Sequence, residues 1–253
     1  MQGAKRVATK TMQNIFSGAE TYVSKKITQA VVSRDPFEHC VIDDVLPTAV
    51  FEAIHQNWPK DTDMMRLPDT GRTEAYKERL VMLLEDRFFA DQPPEMEEFW
   101  VNVAFAVMSS AVITACYGKF RATLEARVSH LKGVGRLDPE LLIVSDRSDY
   151  KIGPHTDSRA RLLSLLYYLS PDSKYRTYGT GLYKPKNPDM PVNDILHHPV
   201  SEFDLVSRVE YRPNRLVLFP RTDHSYHGVE PVPVENCDRR LLIVNIRAPE
   251  GAI

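Results

Sequence analysis

His155-Thr156-Asp157 and His227 are the residues of this chain with the clearest capacity for chemistry. On a strand, residues i and i+2 point to the same face, so His155 and Asp157 can aim one imidazole and one carboxylate at a common point. A later strand carrying Ser225-Tyr226-His227-Gly228-Val229 alongside would add a second imidazole, 72 residues after the first. Two histidines and one carboxylate on one side of a metal form a facial triad, which suits Fe(II) and leaves coordination positions open. Each piece alone is weak, because in a chain with eight histidines a His-x-Asp can be a surface turn and a single histidine a structural one. The context adds weight. Gly153-Pro154 precedes His155, and Arg239-Arg240 opens the apolar run LLIVNI. A cation at the base of a buried strand is costly unless it meets an anion. Arginine pairs with a carboxylate through two parallel hydrogen bonds.

The elements that must position these groups fall into two halves. Asp35-Pro36-Phe37 marks a domain start, followed by a short strand near His39–Ile42 and a helix over Thr48–Gln56 that Pro59 closes off. Residues 60–79 are polar and rich in turn formers, and predict a loop. Helices are expected over about 80–90 and 95–130, with a break near Gly118. Short β-rich runs then follow at 140–145, 150–156, 162–169, 181–184, 205–211, 215–219, 226–230 and 240–247, separated by turn residues such as Pro171-Asp172 and Pro213-Asn214. Many short strands at this spacing predict a sandwich or barrel. A double-sheet jelly roll brings inward-facing residues of distant strands together, and so can unite positions 155, 157 and 227. Residues 185–203 are a proline-containing insertion, and long loops in such folds are commonly functional.

The 253 residues, 43% hydrophobic and 26% charged, fit one large domain of ordinary globular composition. A net charge of −2 carries no nucleic-acid signature. The charge is uneven: residues 1–33 hold five basic side chains against Glu20 alone. Their apolar positions approach helical spacing, which predicts a basic amphipathic arm packing on the domain or a partner, in preference to a membrane-surface or targeting segment. The uncharged run Phe99–Tyr117 contains Asn102, Ser109, Ser110 and Thr114, with acids before it and bases after it. That polarity suits a buried helix of a soluble protein, so no integral membrane segment is expected. Cys40, Cys116 and Cys237 are widely spaced and no signal peptide is visible, which points to a reducing, cytoplasmic setting.

Tyr150–Ser170 (YKIGPHTDSRARLLSLLYYLS) and Arg212–Pro249 resemble the Fe(II)- and 2-oxoglutarate-dependent oxygenases, most of all their prolyl-hydroxylase-like branch. Glu38–Pro59 is similar to the usual lead-in, and the likeness covers most of residues 35–250. It implies a mainly β fold with flanking helices (α+β), a double-stranded β-helix or cupin-like jelly roll with N-terminal helices packed on one sheet. It implies one domain over residues 34–253, helical over about 47–130 and β over about 139–248, with the arm 1–33 outside the likeness. It also implies Fe(II), 2-oxoglutarate and dioxygen as cofactor and cosubstrates, with ascorbate in support. By the resemblance His155, Asp157 and His227 are the metal ligands. Arg240 matches the position that pairs with the distal carboxylate of 2-oxoglutarate. Arg239 is its rival, since strand parity lets only one of the two face inward; polar Asn245 shares parity with Arg239, and Arg240 is preferred. Tyr168 and Tyr150 are candidate hydroxyl partners of the cosubstrate, with core packing an equal alternative.

His224, three residues before His227, is the competing ligand, but on a strand it faces the other side. His197-His198 are expected as solvated loop histidines, and Arg159 and Arg161 as a solvated turn, in preference to contact with an anionic substrate group. The activity implied is hydroxylation of an unactivated C–H bond in a peptidyl or small-molecule substrate, with release of succinate and CO₂. An aspartate at 157 argues against halogenation, where a small residue leaves room for halide. A zinc hydrolase using the same three side chains and a non-catalytic β-sandwich binding module are the alternatives. The hydrolase needs no arginine at the base of the last strand, and the binding module does not need His155-Thr156-Asp157 and Ser225–Val229 to face one another. Oligomeric state and substrate identity are not written in the chain.

Overall fold

A computed structural model describes residues 12–128, 137–172, 174–190 and 197–248. The first eleven residues of the expected arm lie outside that set. The rest of it forms helix α1 (Ala19–Gln29), which buries Ala19, Val23 and Ile27. Strand β1 (Cys40–Asp43) and helix α2 (Thr48–Gln56) follow at the expected positions. The polar stretch after them holds a two-residue strand, β2 (Met65–Arg66). A helix does not form over 80–90. Residues Arg79–Leu83 are strand β3 and only Asp86–Phe89 turn helically as α3. RLVML pairs residue for residue with a later strand, and that tertiary pairing outweighs local helix preference.

The apolar stretch becomes three helices: α4 (Pro94–Met108), α5 (Ser110–Lys119) and α6 (Arg121–Val128). The breaks fall at Ser109 and Phe120, and Gly118 lies inside α5. Pro94–Lys119 is the one helical stretch among the described residues long and apolar enough to cross a membrane. Half of its most apolar window is buried inside the fold, so it is weak ground for a span. α1 packs on α5 and α4, and Phe16 meets Phe99 edge to face at 5.6 Å.

The β half comprises β4 (Asp138–Asp146), β5 (Ile152–His155), β6 (Arg161–Tyr168), β7 (Thr180–Pro185), β8 (Phe203–Val209), β9 (Arg215–Pro220), β10 (His227–Val229) and β11 (Arg239–Arg247). They form two antiparallel sheets. One has seven strands in the order β1-β9-β6-β11-β4-β3-β2, and the other four in the order β5-β10-β7-β8. From β4 to β11 the chain crosses between the facing sheets at every step except β7 to β8, which is the jelly roll expected. β9 is buried at every position because helices cover one face of the large sheet and the small sheet covers the other. On the helical side the Tyr167 hydroxyl donates to the Val107 carbonyl of α4 at 3.1 Å.

Between the sheets, alternation decides what each strand presents. β11 turns Arg239, Leu241 and Ile243 toward a cavity that Leu166 of β6 also lines. Its even positions face the helices: Arg240 pairs in register with Ser145, whose hydroxyl accepts from the Trp58 indole at 3.1 Å.

Candidate metal centre and cosubstrate cavity

His155 and His227 are direct partners across the β5–β10 pairing. The next pair is Ile152 with Val229, so β5 carries one extra residue against its neighbour. Such a bulge re-aims side chains. Here it sets Ile152 and His155 on the cavity side, while Gly153 meets the insertion. A Cβ at Gly153 would lie 2.7 Å from the His198 carbonyl oxygen, and one at Gly228 would lie 2.6 Å from that of Ile152. Only glycine permits these two approaches. Asp157 lies two residues beyond the end of β5, so a loop aims its carboxylate.

One ligand atom from each of His155, Asp157 and His227 falls within 4.8 Å of the others. The histidine rings are 4.3 Å apart, and His227 Nε2 is 3.9 Å from an Asp157 oxygen. Each Nδ1 faces a backbone carbonyl: Gly153 for His155 and Ser225 for His227, both at 3.0 Å. Those carbonyls hold the proton on Nδ1 and leave both Nε2 lone pairs toward the common point, as ligating histidines require. Phe219 packs on the His227 ring at 4.6 Å and fixes its plane.

The Asp157 carboxylate is held twice. Ser164 donates to one oxygen at 2.5 Å, and Arg161 forms a short ion pair with the other. Burial would push this carboxyl up, but Arg161, then His227 and His155, hold it below the ordinary carboxylate range. For His155, burial comes first and the neighbouring His227 second, and together they push its pKa down to about 3. A neutral imidazole and an ionised carboxylate are the protonation states a divalent cation needs.

The triad lines a cavity of about 80 Å³. Leu166, Leu241, Ile243 and Val229 form its walls. Arg239, Arg79, Tyr150 and Thr180 also line it. Arg239, not Arg240, is therefore the arginine of this cavity. Its side chain is 1% exposed and it donates to Asp146 at 2.7 Å and to the Tyr178 carbonyl at 2.9 Å. Arg240 instead pairs with Asp238 at 2.8 Å and lies over the Trp58 ring on the helical face.

Tyr150 lines the cavity, and burial pushes its hydroxyl up, so it stays protonated and able to donate. Tyr168 is buried under Arg239 and does not line the cavity; its hydroxyl is taken up by Thr180, donating to Oγ1 at 2.5 Å and accepting from the amide at 3.0 Å. His224 is exposed and stands apart from the triad. His198 is buried, between the rings of Phe203 and Tyr226, and not solvated. His197 is exposed and meets the Tyr76 hydroxyl at 3.3 Å. A larger groove of about 480 Å³, with Tyr76, Tyr183, His197 and Val200 among its walls, shares Ile152 and Val229 with the triad cavity.

Sequence reasoning missed Arg79, Asp146 and the support of Asp157 by Arg161 and Ser164. Ser164 carried a legible signal, a lone hydroxyl within the apolar strand RLLSLLYY. Arg79 carried none, since its strand was read as helix.

Two facing sheets with a two-histidine, one-carboxylate cluster form a jelly roll with a site that could hold a metal ion. Residues 142–247 match the family model described as the 2OG-Fe(II) oxygenase superfamily. A comparison with curated proteins finds no match. Among solved structures, the chain is similar to a prolyl hydroxylase from Trichoplax adhaerens in complex with a hypoxia inducible factor peptide fragment. The TM-score is 0.51 at 15% identity, over 95% of this chain and 93% of that one. It is also similar to a prolyl 4-hydroxylase from Phytophthora capsici, with a TM-score of 0.50 at 15% identity, over 94% of this chain and 66% of that one. These likenesses show a shared fold.

Proposed function

We propose that the protein hydroxylates an unactivated C–H bond of a peptidyl or small-molecule substrate held in the groove beside the triad. One molecule each of 2-oxoglutarate and dioxygen would be consumed, and one each of succinate and CO₂ released with the hydroxylated product. His155, Asp157 and His227 would hold Fe(II), which when bound supplies the activation of dioxygen. Arg239 would hold the far carboxylate of 2-oxoglutarate, in the role the sequence reading gave to Arg240, and the Tyr150 hydroxyl, which lines the same cavity, would donate to the cosubstrate. The apolar walls exclude water and keep these contacts strong.

The observation that carries this reading is the pair of carbonyl-pinned histidines facing a doubly held carboxylate, lining a cavity that the cations Arg79 and Arg239 also line. A zinc hydrolase would use the triad but has no need of those cations. The three cysteines, all unpaired and buried, support a reducing, cytoplasmic setting. The test is anaerobic addition of Fe(II) and then 2-oxoglutarate, followed by visible absorption. A weak charge-transfer band, lost in His155→Ala, weakened in Arg239→Met and retained in Arg240→Met, is expected. No band, with tightly retained zinc, would remove the oxygenase reading.

A further inference from the structure

Asp146 ends β4 with its side chain fully buried, and it meets a guanidinium on each side. Arg79 of β3 and Arg239 of β11 are its register partners on the two neighbouring strands. Arg79 donates from Nε to one Asp146 oxygen at 2.6 Å and from a terminal nitrogen to the other at 3.1 Å. Arg239 donates to that second oxygen at 2.7 Å. Both arginines line the triad cavity. The Tyr150 ring lies under Arg79 at 4.3 Å, and the Tyr211 ring under Arg239 at 4.9 Å.

The charges decide what this arrangement is for. Arg239 and Asp146 alone make a neutral pair, and an incoming carboxylate would have to compete with Asp146 for the guanidinium. Arg79 adds a second cation with no second acid, since the remaining acid of the cavity, Asp157, is paired with Arg161. The enclosed group therefore carries one net positive charge. Burying an unmatched cation is unfavourable unless an anion completes it.

We propose that Arg79 is a positioning residue for the cosubstrate: it supplies the net charge that draws the far carboxylate of 2-oxoglutarate to Arg239, whose own charge Asp146 already balances. This rests on the oxygenase reading. β3 lies outside the residues matched by the family model, so the assignment of Arg79 comes from the structure alone.

The test is calorimetric titration of the full chain loaded with Mn(II), with 2-oxoglutarate and with 2-oxobutyrate, which lacks the far carboxylate. In Arg79→Gln, 2-oxoglutarate should bind about 10- to 100-fold more weakly, the loss typical of a charge-assisted contact. Binding of 2-oxobutyrate and of Mn(II) itself should stay within about twofold, as contacts remote from the change predict. Arg79→Lys keeps the charge and should retain most of the affinity. The double variant R79Q/D146N restores the net charge and should recover most of what R79Q lost, which a purely structural role would not produce. Arg79→Met serves the same purpose should R79Q not fold. Wild-type binding of 2-oxoglutarate by the neutral variants, equal loss of both oxo acids, or no recovery in the double variant would each overturn the assignment. If the Mn(II)-loaded wild type binds 2-oxobutyrate and 2-oxoglutarate equally, the anion site is absent. If it binds neither, the oxygenase reading itself fails.

Discussion

Ser164 and Arg161 between them occupy both oxygens of Asp157, so the carboxylate is aimed before any cation arrives. Partners of this kind typically contribute 10–100-fold to metal affinity. Ser164→Ala should therefore weaken Mn(II) binding by about tenfold while leaving thermal stability within about 1 kcal/mol, because the hydroxyl is removed from a site where Arg161 still pairs the acid. Unchanged Mn(II) affinity would mean that Arg161 alone aims the carboxylate. The choice between Arg239 and Arg240 belongs to the same scale. Both sit at the base of one strand, and both have an acid within reach, Asp146 for one and Asp238 for the other. A sequence records that one faces in and one out, but the face is fixed by Trp58 and the helices on the far side of the sheet.

At the scale of elements, the strands from β4 to β11 were legible because turn residues bracket each short β-rich run. The helix Thr48–Gln56 was legible from the proline that follows it. β3 was not, since a strand of five residues takes its identity from pairing with β4, a partner 67 residues away at the Arg79–Asp146 pair. The bulge in β5 was equally hidden, although Gly153 marked where another backbone comes close. α1 shows the same dependence on tertiary contact, with Val23 and Ile27 completely buried against the long helices. Ile27→Ala should destabilise the protein by about 2–5 kcal/mol in urea unfolding, as deletion of a fully buried aliphatic group does. Loss of less than about 0.5 kcal/mol would mean that the arm unfolds independently of the domain.

For the whole molecule, acid is the condition that tests the ion pairs joining its parts. Glu140 of β4 accepts from Arg72 at 2.5 Å, from Asn245 at 3.1 Å and from Arg247 at 2.8 Å, tying the segment after β2 to β11. Burial would raise this carboxyl, but hydrogen bonds from Arg72 and Asn245 and the charge of Arg247 bring it below its ordinary 4.5. Asp43, held by Arg215, is shifted the same way. In the unfolded chain these acids take up protons first as pH falls, so the stability they give is full above their ordinary values and is lost below them. The melting temperature should therefore drop between about pH 5 and about pH 3, and Glu140→Gln should make that drop shallower. An unchanged slope in E140Q would place the acid sensitivity elsewhere.

The two metal-bearing histidines are register partners on adjacent strands yet lie 72 positions apart along the chain. A cation that joins them therefore acts as a staple closing a polypeptide loop, in the manner of a disulfide. β6, β7, β8 and β9 all fall inside that loop, and so does the insertion 185–203. One backbone cut in the insertion would leave His155 and Asp157 on one fragment and His227 on the other. The two pieces would then share a single ion, and a chelator would loosen what the cut alone had left together.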